Sequence, residues 1–451
     1  MKIVIVGAGA VGRHLAESLS TAQHSIMIIE ESESLSEELI EQLDVGVMTG
    51  NGAAATLLAE AGVAESDLFL ALTSQDTTNV VAASVSKSMG AKRTVARVHP
   101  TIQHAQWLFD YRSHFGIDYL FSVERLTAVE LVKHIRHPDG MLTEELARGR
   151  IEVQQLEVSK ECELVNLPLH ALNLPKGVRI AALKRGKAHQ VPKGTAHVEA
   201  GDLVTLFGDP RQLDILTRML AGQPSRSPNQ RVVIVGGGEY GFALAQALEG
   251  GPYGVRILEP DKRRCERLTQ LLQDTVILQA DGRDIRHLRE EQVGEAEFFV
   301  ATGENDEDNV MACLQAKSLG TQHALTIIHR ADYAEVIAQN LEQLGMLAAV
   351  SPRIPAMRDL LRFVDDQPLR KTVELLAGVE LLQFKVDASS WLAGKALGEA
   401  RWPEGSAAAA VLRGEQAFVP GGKEALEAGD TVYAVVLPDG RKPLLSFLSM
   451  K

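Results

Sequence analysis

The sequence predicts an α/β protein built from two Rossmann-like parallel-sheet domains, each followed by a small α+β lobe. Three observations carry this. A G-x-G-x-x-G fingerprint occurs twice, at Gly7, Gly9 and Gly12 and again at Gly236, Gly238 and Gly241, with a spacing of 229 positions (236 minus 7). Each copy follows a short apolar run, Ile3-Val4-Ile5-Val6 or Val232-Val233-Ile234-Val235, and opens a segment with helical apolar spacing, Leu15/Leu19 or Leu244/Leu248. The remainder of each half repeats in register, so the chain reads as a tandem duplication.

The first run and its fingerprint give a strand, a glycine turn and a helix. In that context the turn, Gly7-Ala8-Gly9-Ala10-Val11-Gly12, lets backbone N–H groups approach a pyrophosphate at a helix N-terminus. Its counterpart is Gly236-Gly237-Gly238-Glu239-Tyr240-Gly241. The second strand, Ile26-Met27-Ile28-Ile29, ends in Glu30, and Val255-Arg256-Ile257-Leu258 ends in Glu259. Each Glu lies 18 residues after the last fingerprint glycine (30 minus 12, 259 minus 241). A carboxylate there accepts ribose hydroxyls and repels a 2′-phosphate, which favours NAD(H) or an adenine nucleotide over NADP(H). A solvated strand-end acid is the plainer role for the same residue.

Apolar runs at 45–48, 68–72 and 94–98 then alternate with helical segments, the rhythm of a parallel sheet covered on both faces. Thr49-Gly50-Asn51-Gly52 matches Gln279-Ala280-Asp281-Gly282, the run ending in Thr73 matches the run ending in Gly303, and Asn79 matches Asn309. A helical stretch over 123–137 stops at His137-Pro138-Asp139-Gly140, a strong turn signal that closes the first domain at residues 1–140. Its Leu126, Val129, Leu131, Val132 and Ile135, with Leu360, Leu361, Phe363 and Val364 in the second half, suit a subunit interface or, equally, the covering of a sheet.

Residues 148–222 change to short strands and turns without a glycine fingerprint, and residues 373–451 repeat that layout. Lys184-Arg185-Gly186 recurs as Leu412-Arg413-Gly414, and Ala200-Gly201-Asp202 as Ala428-Gly429-Asp430. A polar, proline-punctuated linker at 223–230 separates the first lobe from the second nucleotide-type domain, 231–368.

With 46 Lys plus Arg against 59 Asp plus Glu, net charge −13 and no long basic block, nucleic acid is not an expected partner. The three cysteines, Cys162, Cys265 and Cys313, are widely separated and lack metal-ligand spacing, so neither a disulfide framework nor a zinc site is suggested, and a reducing cytoplasm is the expected home. Met1-Lys2 leads straight into the first strand, read as leaving no room for a signal peptide, and no stretch approaches the ~18 apolar residues of a membrane span. Any association with a membrane is expected to run through a partner protein.

On Gly7 to Gly12, Gly50-Asn51-Gly52, Thr73-Ser74-Gln75-Asp76, Ala96-Arg97-Val98, the tandem order and the Ala-Gly-Asp lobes, the chain resembles, over essentially its full length, the TrkA family of regulatory subunits with paired RCK (KTN) domains. That resemblance implies a cytoplasmic homotetrameric ring, peripheral on the inner face of the membrane and bound to the potassium-translocating subunit of a Trk-type uptake system. It implies NAD(H), with ATP or ADP as further candidates, as the ligand that changes ring geometry and so transport, and it implies no enzymatic activity. By position it places phosphates on Gly7 to Gly12, the adenosine ribose at Glu30 with Asn51 and Gly52 beside it, Thr73 and Ser74 above the strand end, and Arg97 as a fixed cation. Arg97 is equally suited to pairing with a nearby carboxylate, and Thr73 and Ser74 to capping the next helix. Replacing Gly9 or Gly12 by a larger residue is expected to abolish binding and leave the fold.

The second copy departs from the first: Glu239 and Tyr240 stand where Ala10 and Val11 did, Glu304 to Asp308 add acids at the strand end, and Ile327 replaces Arg97, with Arg330 three residues on as a candidate substitute. The first site is therefore expected to be the principal nucleotide sensor and the second, with Gly236 to Gly241, Glu259 and Asp281, weak, differently selective or structural. The alternative from another class is an NAD-dependent oxidoreductase. It requires a proton donor beside the nicotinamide, and only the isolated His99 and His104 present themselves.

Overall fold

The computed structural model describes residues 1–20, 24–104, 108–138, 142–146, 150–172, 174, 177–186, 188–222, 230–361, 363–364, 369–375, 378–414 and 416–449. Most of the sequence-predicted linker, 223–229, and Asp139-Gly140 of the turn signal lie outside the described residues.

The first domain runs β1 (Lys2–Val6), α1 (Ala10–Ser20), β2 (Ser25–Glu30), α2 (Glu33–Gln42), β3 (Gly46–Thr49), α3 (Ala55–Glu60), β4 (Leu68–Ala71), α4 (Asp76–Met89), β5 (Thr94–Arg97), α5 (Pro100–His104), α6 (Tyr111–His114), β6 (Tyr119–Phe121) and α7 (Val123–Arg136). The first lobe follows as β7 (Leu142–Leu146), β8 (Ile151–Glu157), β9 (Val178–Arg185), β10 (Ala188–Gln190), β11 (Leu203–Gly208) and α8 (Pro210–Ala221). The second domain repeats the first as β12 (Gln230–Val235), α9 (Glu239–Leu248), β13 (Tyr253–Leu258), α10 (Lys262–Leu271), β14 (Val276–Leu278), α11 (Ile285–Glu290), β15 (Phe298–Ala301), α12 (Asp306–Leu319), β16 (His323–Ile327), α13 (Ala331–Gln339), α14 (Leu341–Leu344), β17 (Ala348–Val350) and α15 (Arg353–Leu361). The second lobe closes the chain with β18 (Leu369–Glu374), β19 (Glu380–Lys385), β20 (Ser406–Arg413), β21 (Gln416–Phe418), β22 (Thr431–Val436) and α16 (Arg441–Leu448).

Both domain sheets are six-stranded and parallel, in the orders β3-β2-β1-β4-β5-β6 and β14-β13-β12-β15-β16-β17. Strands buried on both faces need continuous apolar runs rather than alternation, as β1 and β4 have. Ile3 and Ile5 enter one core while Val4 and Val6 enter the core on the opposite face. Strand order reverses between β1 and β4, so the crevice above their C-terminal ends is the topological switch point where such sheets bind ligands. Register sets Val6 opposite both Ile29 and Ala71, which brings the glycine turn level with Glu30 and Thr73.

The two domains, residues 1–138 and 227–365, form one compact unit, and their cores explain why. Helix α7 leaves its own sheet after its first turn: Val123 and Leu126 pack in the core of the first domain, whereas Ala128, Leu131, Val132 and Ile135 are buried in the core of the second domain with Val232, Ile234, Leu244 and Phe298. Helix α15 returns the exchange, burying Ala356, Met357 and Leu360 in the core of the first domain with Ile3, Ile5, Leu15 and Ile28. Of the two roles read from the sequence for these apolar faces, the structure shows sheet cover, and it is crosswise: each helix covers the sheet of the other half of the same chain. Ser122 starts α7 by accepting the Arg125 N–H at 3.2 Å.

The lobes, residues 139–226 and 366–451, form a second compact unit. Each is a five-stranded sheet, β10-β9-β11-β8-β7 or β18-β19-β22-β20-β21, backed by one helix. A shared core of Val153, Ala181 and Phe207 with Leu381, Ala410 and Val435 joins the two sheets face to face. The repeated Arg-Gly and Ala-Gly-Asp signals are the two ends of one device. Buried Asp202 accepts Arg185 Nε at 2.9 Å and Nη2 at 2.8 Å, and Asp430 accepts Arg413 with the same two distances. Burial works against the Asp202 charge, but the guanidinium fork and the Glu199 N–H hold its carboxyl below the ordinary range.

Candidate functional site

A cleft of about 570 Å³ opens at the switch point of the first domain, lined by its glycine turn, Glu30, Asn51, Gly52, Thr73, Ser74 and Arg97. The turn is shaped by two glycines. Gly7 has φ +91°, and a Cβ on Gly12 would lie 2.1 Å from the Gly7 carbonyl oxygen. Gly12 therefore holds helix and turn together, and the expectation that it can be enlarged without cost to the fold is corrected: its neighbour is backbone and cannot move aside. Gly9 differs, because a Cβ there meets nothing within 4 Å and faces open cleft.

Glu30 is fixed beside the turn. Its Oε2 accepts the Ala8 N–H at 2.7 Å, its Oε1 the Ser32 N–H at 3.0 Å, and its backbone carbonyl the Gly50 N–H at 2.9 Å. A carboxylate has about four acceptor positions, so capacity for ribose hydroxyls remains. Asn51 is exposed and turns the chain by accepting the Ala53 N–H at 2.8 Å, whereas Gly52 is a packing residue whose Cβ would sit 2.1 Å from Val6 Cγ1. Thr73 is not the cap of α4: that position belongs to Gln75. Thr73 instead gives its hydroxyl and N–H to fully buried Asn79, at 2.7 and 2.9 Å, and Asn79 Nδ2 reaches the Thr73 and Arg97 carbonyls, lacing the ends of β4 and β5 together. Exposed Ser74 stands free at the rim.

Arg97 makes the ion pair anticipated as its alternative role. Nη2 lies 2.7 Å from Oε1 of Glu124, a side chain only 2 % exposed whose other oxygen accepts the Ser122 hydroxyl at 2.7 Å. Its Nε is buried without a hydrogen-bond partner. The guanidinium thus keeps an unused donor while lining the cleft.

The far wall comes from the second domain: Tyr240, His329, Pro352 and Arg353. Tyr240 belongs by backbone to the second glycine turn, yet it lines the first cleft, edge-on to His329 at 5.4 Å between centroids. Burial, with Glu124 adding to it, pushes its phenol well above the ordinary value, so it is a hydrogen-bond donor and a poor acid. His329 and Arg353 escaped sequence reasoning altogether, because no local pattern marks them. Of the histidines nominated there, His99 is bound to Asp76 at 2.9 Å and His104 to Gln246 at 2.6 Å, and neither lines the cleft.

The corresponding groups of the second domain are engaged with one another. Glu259 is 1 % exposed and holds Gly237 N–H at 2.7 Å, Asp261 N–H at 2.9 Å and Arg264 Nη1 at 3.2 Å. Arg283 grips Asp281 through Nε and Nη2, at 3.0 and 2.9 Å, and reaches Asp308 at 3.2 Å. Arg267 lies 3.1 Å from Glu239. The acidity expected of this crevice is consequently offset by three arginines, and what separates it from the first is that its ligand-facing groups are already paired. Gly236 and Gly241 shape the turn as Gly7 and Gly12 do, and Gly238 is open like Gly9. Arg330 pairs with Asp332 at 2.7 Å and lies over the Tyr333 ring, so it does not replace Arg97.

The first cleft fits a nucleotide on its own chemistry: an open glycine turn at a helix N-terminus for phosphates, an anchored carboxylate for ribose, and guanidinium donors without partners. Its volume lies in the ~300–1,000 Å³ range of small-molecule sites.

The TrkA-N domain family matches residues 3–122 and 232–352, and the TrkA-C domain family residues 153–221 and 381–448. The Trk system potassium uptake protein TrkA of Halomonas elongata is 30% identical over 450 residues, covering 98% of this chain and 97% of that one. That of Haemophilus influenzae is 30% identical over 443 residues, covering 96% and 95%. A TrkA homolog of Methanosarcina mazei is 27% identical over 456 residues, with 97% of each chain covered. Among solved structures, the GsuK RCK domain superposes with a TM-score of 0.57 at 16% identity, covering 100% of this chain and 95% of that one, and the GsuK channel bound to NAD with 0.57 at 16%, covering 100% and 79%. These two likenesses establish the shared fold.

Proposed function

The chain belongs to the TrkA family, and from that premise we propose that it is a nucleotide-sensing regulatory subunit which binds NAD(H), or ATP and ADP, in the cleft of its first domain and gates a membrane potassium-uptake protein of the Trk type. The observation that carries this reading is the meeting, in the first cleft, of an open glycine turn, an anchored strand-end carboxylate and guanidinium N–H donors left without acceptors on Arg97 and Arg353, against self-paired equivalents in the second domain. Relatives named for potassium uptake and a neighbour solved with NAD support it. No helix among the described residues is long and apolar enough to cross a membrane. On the likeness to relatives named for the Trk potassium-uptake system, we assign transport to a membrane partner and place the chain on the cytoplasmic face as a homotetrameric ring.

Ligand binding acts by differential affinity for two arrangements of that ring. The exchanged helices make the two domains of a chain a single block, so what the ligand touches in the first domain is felt by the second. Calorimetric titration of the full chain with NADH, NAD, NADPH, ATP and ADP, with mass followed in parallel, tests the reading. One strong site per chain in a multimer, NADH preferred to NADPH and no turnover, is the expected result. Absence of binding to all five would remove the sensor reading, and steady NADH oxidation with small hydroxy acids would replace it by an oxidoreductase.

A further inference from the structure

We infer that Arg353, a residue of the second domain, is a phosphate-binding group of the first domain's cleft, and that it recognises the phosphate chain of a nucleoside diphosphate, triphosphate or dinucleotide. The inference deepens the nucleotide reading of that cleft and rests on it.

Arg353 is the first residue of α15 and follows Pro352, and both line the cleft alongside Gly9 and Ala10 of the phosphate turn. It also borders an adjoining recess of about 410 Å³ that runs from Gly9 along α1 past Arg13 and Glu17. The two cations there are in different states. Arg13 is spent on Glu17 at 3.2 Å, Glu38 at 2.8 Å and Gln42. Arg353 makes no ion pair among the described residues, and its Nε is buried without a hydrogen-bond partner. A buried unpaired donor on a permanently charged group carries a desolvation cost that an anion would remove. The position is not adventitious, because α15 is pinned by Ala356, Met357 and Leu360 in the first domain's core, one to two turns beyond Arg353.

Donors converge at this spot from three sources: the N-terminus of α1, the unpartnered Nε of Arg97, whose charge is balanced by Glu124, and Arg353 from the second domain. An anion that engages the glycine turn of the first domain and the guanidinium of the second takes charge from both, which favours a phosphate chain over a single carboxylate. The arrangement is one-sided. Counted from the strand ends Phe121 and Val350, Ser122 matches Ser351, Val123 matches Pro352 and Glu124 matches Arg353, so the first half carries an acid where the second carries this cation. A ligand held by Gly9 on one domain and Arg353 on the other strengthens the contact between the domains, which gives ligand charge a direct route into their packing.

The test compares ADP and AMP binding to the full-length wild type, Arg353→Gln and Arg353→Lys by calorimetry, with melting temperature as the folding control. Arg353→Gln should weaken ADP about 10- to 100-fold, as expected for loss of a charge-assisted bond, while changing AMP little. Arg353→Lys, a point charge of the same sign, should recover part of the loss. ADP should also raise amide-exchange protection across residues 353–361 in the wild type and not in Arg353→Gln. A folded Arg353→Gln protein with wild-type ADP affinity overturns the inference alone. Failure of the wild type to bind any nucleotide overturns the inference together with the reading beneath it.

Discussion

Removing Arg97 should cost the protein stability before it costs it ligand. The guanidinium is 19% exposed and neutralises Glu124, whose side chain is 2% exposed and otherwise receives only the Ser122 hydroxyl at 2.7 Å. Arg97→Ala leaves a buried carboxylate with no cation, and breaking one side of a buried pair costs about 3–5 kcal/mol. Glu124→Gln in the same chain removes the stranded charge and should recover at least half of that loss. The double variant then isolates the ligand term: without a guanidinium at the end of β5, NADH affinity should fall by about 1.5–3 kcal/mol, or roughly 10- to 100-fold. Urea unfolding at pH 7 reads the first quantity, and calorimetric titration of the folded double variant reads the second. An Arg97→Ala protein as stable as the wild type would mean Glu124 is not held as described. A folded double variant with unchanged NADH affinity would take Arg97 out of the site.

Four further outcomes are expected. Ile135→Ala and Leu360→Ala, each fully buried in the other domain's core, should both destabilise the paired domains by about 2–5 kcal/mol in a single cooperative transition, and two separate transitions would contradict the exchange. Gly12→Ala should lower the melting temperature sharply, because its Cβ meets the Gly7 carbonyl at 2.1 Å, whereas Gly9→Ala should not. The Asp76 hydrogen bond raises the His99 pKa above its ordinary 6.5, so the pair's stabilisation is full below that value and is lost as pH rises through the raised folded value; His99→Gln should flatten the stability profile over that window. Asp202→Ala, which takes two bonds from Arg185, leaves that guanidinium only Glu199 and the His197 carbonyl, and strands the Glu199 N–H, should destabilise the first lobe by about 1–2 kcal/mol in denaturant unfolding.

Much of the architecture is local and therefore legible in sequence. Apolar runs on either side of Gly7 to Gly12, and the Glu closing the next strand, are short-range patterns that a strand, turn and helix impose wherever they occur. Asn79 and Asn309 stood out as a repeated pair, and their role as laces between adjacent strand ends follows from the parallel order. Arg185 with Asp202 and Arg413 with Asp430 were visible as motifs, both pairs separated by 17 residues, though as two signals rather than one bond. The exchange of α7 and α15 was not legible. Amphipathic spacing says which face of a helix is apolar and nothing about which of two similar sheets it covers. Arg353 was hidden for the same reason: it reaches the first cleft only because α15 crosses to the first domain, and its counterpart in the repeat is the acid Glu124. The charge pattern of the second crevice misled in one respect, since counting its acids overlooked Arg264, Arg267 and Arg283 arriving from the helices and turns beside them.

The claim at the centre of this account is that one cleft of the duplicated pair binds the nucleotide. Gly9 and Gly238 occupy equivalent positions, and a Cβ meets nothing within 4 Å at either, so Gly9→Asp and Gly238→Asp place the same carboxylate at the two helix N-termini at little cost to the fold. NADH titrated calorimetrically into both full-length variants gives the direct answer. Gly9→Asp should abolish the single strong site and Gly238→Asp should leave it intact; equal loss in the two, or loss only in Gly238→Asp, would contradict a first-domain site.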